Sequence, residues 1–198
     1  MNHESEILDR FTQSFRLLDD LTCTHDEPPP EILSIGNDPS DWMSIRWQPT
    51  KVANPTISVD LVRRAGQLPQ LFEQLATTYC WLTVDLRLFC LFANPPSLDL
   101  KPLADAMFGD HVLNNTLLPG RYVRFAQAAN GSYDPICFDL NRMVGGDCPI
   151  VRISHESVLM HNEIGIPVTV FPSFRTLVLN VIELARLSDN ITKRVSEA

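Results

Sequence analysis

The residues of this chain best suited to chemistry lie between Asp134 and His161. His155-Glu156 opens an H-E-x-x-x-x-H pattern closed by His161, whereas a helical zinc site uses H-E-x-x-H. Histidines one turn apart share a helix face; histidines six apart do not. No helix is predicted here, so His155 and Glu156 are expected to leave a strand and either bond locally or face water. Asp134, Asp139 and Asp147 are oxygen donors, but they lack the D-x-[DN]-x-[DN]-G order and closing Glu of a calcium loop. Carboxylates in turns ordinarily accept nearby backbone N–H groups. Gly145-Gly146 leads into a strand and not a helix, which makes it a hairpin turn and not a phosphate cradle. Ser132 follows Gly131 in a turn signal, and no G-x-S-x-G elbow exists. Cys137 alternates with Ile136 and Phe138 and so faces the other side of its strand, as a small apolar residue would; Cys148 lies beside Pro149 in a turn. These patterns point to no catalytic residue, no metal and no cofactor.

The elements that must position these residues form a meander. Arg121–Phe125, Ile136–Leu140 and Ile150–Ser154 read as strands, separated by Ala129-Asn130-Gly131-Ser132 and by Gly145-Gly146-Asp147. Short alternating runs bounded by Gly, Asn and Asp describe a half-buried antiparallel sheet. Val168–Phe171 supplies a fourth strand, and Pro172-Ser173 opens a final helix. Phe174, Leu177, Val178, Val181, Ile182 and Ala185 lie on one face of that helix. Beyond Ser188 the tail is polar and is expected to fray.

Upstream, Ser5–Leu21 reads as an amphipathic helix with Ile7, Phe11, Phe15 and Leu18 on one stripe and Leu8 beside it. Its mixed charges suit packing better than a membrane surface. Pro28-Pro29-Pro30 makes an extended connector. Asp41–Gln48 alternates as a strand carrying Trp42 and Trp47 on opposite faces, and Lys51–Thr56 is a loop. The helical period returns at Val59 and breaks at Gly66. Leu68-Pro69 then opens a helix through Leu71, Phe72, Leu75, Ala76 and Tyr79. Trp81–Phe92 alternates as an extended segment that ends at Asn94-Pro95-Pro96. A short helix runs from Asp99 or Lys101 to Met107, and Asp110 caps another that ends at Leu117.

A chain of 198 residues, 44% of them hydrophobic, can bury one core without staples. Sixteen basic against twenty-four acidic residues leave a formal charge of −8. That disfavours nucleic acid, whose phosphates call for a basic face, and suits a basic protein partner. Five scattered cysteines without a C-x-x-C pair make no disulfide framework. The start, MNHESEILDRF, lacks a signal peptide, and no apolar run approaches the ~18 residues of a membrane span. The expectation is a reduced, soluble, cytoplasmic protein, with oligomeric state left open.

From Ile57 to Leu187 the chain resembles the SUKH superfamily, which includes the Smi/Knr-like domain of fungal cell-wall assembly regulators and many bacterial proteins. The resemblance rests on the Leu68-Pro69 helix, the Tyr122-Val123-Arg124-Phe125 strand and the Tyr133-Asp134-Pro135-Ile136-Cys137-Phe138-Asp139 strand. It also rests on Pro149-Ile150-Val151 running into His155-Glu156, and on Ser173-Phe174 before the last helix. It implies an α+β fold with helices packed on a mixed, mostly antiparallel sheet. On this division residues 1–56 form an N-terminal helix–connector–strand extension packed on the main domain, 57–187 the SUKH-like domain and 188–198 the polar tail.

The resemblance further implies protein binding and not catalysis: bacterial members are regarded as immunity proteins that neutralise toxins, often nucleases, and fungal members as regulatory scaffolds. An acidic surface of Asp134, Asp139, Asp147 and Glu156 is then the candidate contact with a basic toxin domain. Two other readings remain. A scaffold would dimerise through an Ile7–Leu18 face left exposed in the monomer. An enzyme would use His155, Glu156 or Cys137 in a pocket against the Leu68–Tyr79 helix.

Overall fold

The computed structural model describes residues 3–23, 30–32, 45–52, 61, 64–97, 99–129 and 131–196. The chain folds as α+β around a six-stranded sheet in which every neighbouring pair is antiparallel. The sheet, expected to be mostly antiparallel, is antiparallel throughout its named strands. Their order is β10-β9-β8-β7-β6-β5, formed by β5 (Val84–Asp85), β6 (Phe89–Leu91), β7 (Tyr122–Ala128), β8 (Pro135–Asp139), β9 (Ile150–Arg152) and β10 (Val168–Phe171). Each strand lies beside its neighbour in sequence, and helices are inserted in the connections from β6 to β7 and from β9 to β10.

Alternation along β8 decides what lies on each side. Ile136 and Phe138 enter the main core, while Cys137 enters a second, smaller core with Leu113, Leu117, Val151, Ile153 and Val158. Side chains two apart share a face of a strand, so one five-residue strand serves both cores. On the main side lie α1 (His3–Leu18), α2 (Gln70–Thr78) and α6 (Phe174–Ser196), whose apolar residues join that core. On the other side lie α4 (His111–Leu117) and α5 (His155–His161). Between the sequence positions of α2 and α4 comes α3 (Lys101–Phe108), which packs on β7.

Four phenylalanines from four elements meet at the centre. The rings of Phe125 and Phe138 stack with centroids 4.1 Å apart, and Phe72 and Phe174 approach Phe138 edge-on at 4.9 and 5.7 Å. All four are fully buried. Offset and edge-on ring pairs each add about 0.5–1.5 kcal/mol beyond burial. This cluster binds α2 and α6 to the middle of the sheet.

The N-terminal stripe does not stay exposed. Ile7, Leu8, Phe11, Phe15 and Leu18 are all buried, and α1 packs against α6 within the main core. That removes the free face on which a scaffold dimer through α1 depends. Four short strands in two pairs join the remaining N-terminal pieces: β1 (Thr22–Cys23) pairs with β2 (Ile45–Arg46), and β3 (Thr50–Lys51) with β4 (Tyr79–Cys80). Trp47 is buried; Trp42, most of the triple-proline connector and the loop after residue 52 lie outside the described residues.

Three local expectations change. Trp81–Phe92 is not one strand but a reversal, β5 to β6, with Arg87 in the left-handed region at φ 67°. A helix, α5, does begin at His155, because the Ser154 hydroxyl accepts the Ser157 N–H at 3.3 Å and caps it. The expected frayed tail is helical: α6 continues through Ser196.

Candidate functional site: the ends of the meander

The four acids singled out from the sequence fall into two pairs at opposite ends of β8. Asp134 precedes the strand and lies beside the start of α5, which carries Glu156; Asp139 ends the strand and lies near the turn that holds Asp147. A strand advances about 3.3 Å per residue, so five residues keep the pairs well apart.

Asp134 fastens β8 to α5. Its Oδ1 accepts the backbone N–H of His155 at 3.0 Å and lies 3.0 Å from His155 Nδ1, while Arg152 Nε stands 3.7 Å from Oδ2. Burial pushes this carboxyl up, but the His155 N–H, the His155 ring, Ser132 and Arg152 outweigh it and hold it below the usual carboxylate value. His155 therefore bonds within the fold, to a carboxylate 21 residues earlier in the chain and not to a local partner.

Asp139 is buried, 3% exposed. Its Oδ1 accepts the Asn141 N–H at 3.1 Å, and its Oδ2 accepts Arg142 Nε at 2.6 Å. Arg142 then donates to Thr169 Oγ1 at 3.1 Å, which ties the end of β8 to β10.

The Gly145-Gly146 turn is a tight hairpin. Val144 and Asp147 exchange backbone hydrogen bonds of 2.8 and 3.1 Å around two glycines at φ 60° and 80°. Two consecutive positive φ values are the signature of a type I′ turn and explain the glycine pair. The turn serves two helix starts. The Gly146 carbonyl accepts the Gln70 N–H at 2.8 Å at the start of α2, and the Asp147 carboxylate accepts the N–H groups of Cys148, Phe174 and Arg175. The N-terminus of α6, an anion-favouring position, already holds one of the chain's own carboxylates.

Glu156 is the one exposed member of the four. Three of the acids thus bond within the fold, and the set does not make one face. Cys137 is fully buried, and its thiol is pushed far up by desolvation. His155 and His161 stand at the two ends of α5, and among the described residues no three His, Cys, Asp or Glu side chains are placed to share a metal ion.

Two polar residues, the partly buried Arg124 and the buried Asn94, carry more than their sequence context suggests. Arg124 lies over the Phe92 ring at 4.9 Å, donates to the Ala106 carbonyl at 3.3 Å and stands 3.7 Å from Asp110. It faces the second core on a strand whose neighbours Val123 and Phe125 face the first; alternation carries that orientation, but not its partners. Asn94 donates to the carbonyls of Ala76 and Tyr79 at 2.9 and 2.8 Å and so closes the end of α2. In the sequence it reads only as the end of an extended run.

The outward-facing feature lies elsewhere. From α5 to β10 the chain exposes Leu159, Met160, Ile166, Val168 and Val170, with Ile166 91% and Met160 76% accessible. β10 is an edge of the sheet and, among the described residues, no strand pairs with its outer side. The opposite edge is occupied: Asp85 of β5 donates its N–H to Asp19 Oδ2 at 2.8 Å, and α1 lies against β5. Beside the exposed stretch is a shallow depression of about 570 Å³ whose lining includes Asn115, Thr116, Asn162 and Glu163. Among the described residues no helix is long and apolar enough to cross a membrane. No family model, curated protein or solved structure matches this chain.

Proposed function

We propose that this protein is a non-catalytic protein-binding domain of the SUKH type that acts as an immunity protein, neutralising a basic, nuclease-like toxin domain in the cytoplasm. The observation that carries the binding reading is the set of exposed apolar side chains Leu159 and Met160 on α5, Ile166 in the link and Val168 and Val170 on β10, whose outer side no strand pairs among the described residues. Apolar residues gathered in one stretch of surface are the usual mark of a protein contact. The net charge of −8 supports a basic partner, because opposite charge speeds encounter. The inward roles of Asp134, Asp139 and Asp147 move the contact surface away from those acids and toward β10 and α5.

The test is co-purification with the terminal domain of a polymorphic toxin encoded beside this gene, followed by growth of cells expressing that domain. Stable complex and restored growth are expected. A neighbourhood without such a toxin, or a toxin domain that neither binds nor is neutralised, overturns the immunity reading.

A further inference from the structure

We propose that the outer edge of β10 receives an extended segment of the protein partner, apolar at alternate positions, with a lysine or arginine that reaches Glu163. The assignment rests on the protein-binding reading above and adds its mode and chemistry.

An edge strand presents unpaired N–H and C=O groups, and an added strand satisfies them. Natural edges are commonly blunted by lysine or by a covering segment. Among the described residues β10 has neither: Val168, Thr169 and Val170 are all exposed and the strand contains no charged residue, so only its four-residue length, the flanking Pro167 and Pro172 and its register shift limit pairing. A register shift between Thr169 and Phe171 bends its second half, so pairing is confined to a short stretch around Val168.

Charge around the edge selects the occupant. The neighbouring arginines are engaged, Arg142 on Asp139 at 2.6 Å and Arg152 near Asp134 at 3.7 Å. Glu156 and Glu163 are exposed and carry no ion pair among the described residues. Glu163 lines the depression just before β10 together with Asn115, Thr116 and Asn162, so its carboxylate is, among the described residues, the one charged group there to meet a cationic head. At about 3.3 Å per residue, the partner's cation must lie within roughly five residues of the one facing Val168. A second copy of this chain is disfavoured, since each carries a charge of −8.

The probe is a nine-residue synthetic peptide of alternating valine and threonine with lysine at both ends, compared with the same peptide ended in glutamate. Binding is followed by amide chemical shifts of the full chain. The lysine peptide should shift Val168, Thr169 and Val170, weaken with added salt and outbind the glutamate peptide. Val168→Lys should lower its affinity by about tenfold, as expected for losing a central apolar contact. Glu163→Gln should erase the preference for lysine over glutamate. No shift at β10, equal binding of both peptides, or a concentration-dependent dimer through β10 each overturns the proposal. Val168→Lys also separates the two readings: a toxin domain bound equally well by this variant sinks the edge site and leaves the immunity function standing.

Discussion

Asp147 and Phe174 meet across 27 residues of chain: Asp147 Oδ1 accepts the Phe174 backbone N–H at 2.9 Å, and its Oδ2 accepts that of Arg175 at 3.1 Å. One carboxylate from a hairpin turn thereby starts the helix whose first residue completes the phenylalanine cluster. Removing both acceptors with Asp147→Ala should cost about 1–2 kcal/mol. In a domain of this size that is a fall of roughly 2–8 °C in melting temperature. Asp147→Asn, which keeps one acceptor, should fall between. Thermal melts of the three proteins check the order; equal melting temperatures would mean that solvent satisfies those N–H groups.

Asp134 makes stability depend on acid. Its folded carboxyl titrates below the ordinary value of 3.8, so the ionised form is favoured by folding. The sign follows: its contribution is complete above the unfolded value and disappears as pH falls through the depressed folded one. Asp134→Asn should therefore lose about 1–3 kcal/mol at neutral pH by leaving buried donors poorly met. The gap to the parent should close below pH 4. Urea titrations at pH 7 and pH 3 measure both gaps, and a gap independent of pH would remove Asp134 from the acid response.

The described cysteines differ in reach. Desolvation raises the thiols of Cys80 to about 11 and Cys148 to about 12, and drives Cys137 up further still. Cys90 is raised as well, but it is only partly buried. In a Cys23→Ser background, iodoacetamide should label Cys90 first, with the other three protected until the protein unfolds. Peptide mapping reads the sites; labelling of Cys137 in native protein would show that the second core opens readily.

Local patterns announced much of this architecture. The stripe from Ile7 to Leu18, the Leu68–Tyr79 helix, the Asp110 cap (whose side chain accepts the Leu113 N–H at 3.1 Å) and the meander strands all lie where periodicity puts them. Gly145-Gly146 is equally legible, because only glycine takes two positive φ values in a row without strain. The α5 helix is not, since its seven residues bury Val158 alone and leave no apolar stripe to see. Ser154 was the available signal. The last turns of α6 are not legible either, because a mostly polar run looks the same in sequence whether or not it is helical.

By itself, the sequence determined which segments are amphipathic, where the chain turns and how much apolar surface it must hide, because those properties depend on neighbours within a few residues. Only the tertiary structure decided what the acids do. A turn aspartate looks the same whether it meets water, a toxin or the start of a helix, and the helix starts held by Asp134 and Asp147, at His155, Phe174 and Arg175, arrive from 21 to 28 residues away. It also decided which edge of the sheet stays open. Covering β5 and leaving β10 bare depends on where α1 lies after folding, and no local pattern carries that information.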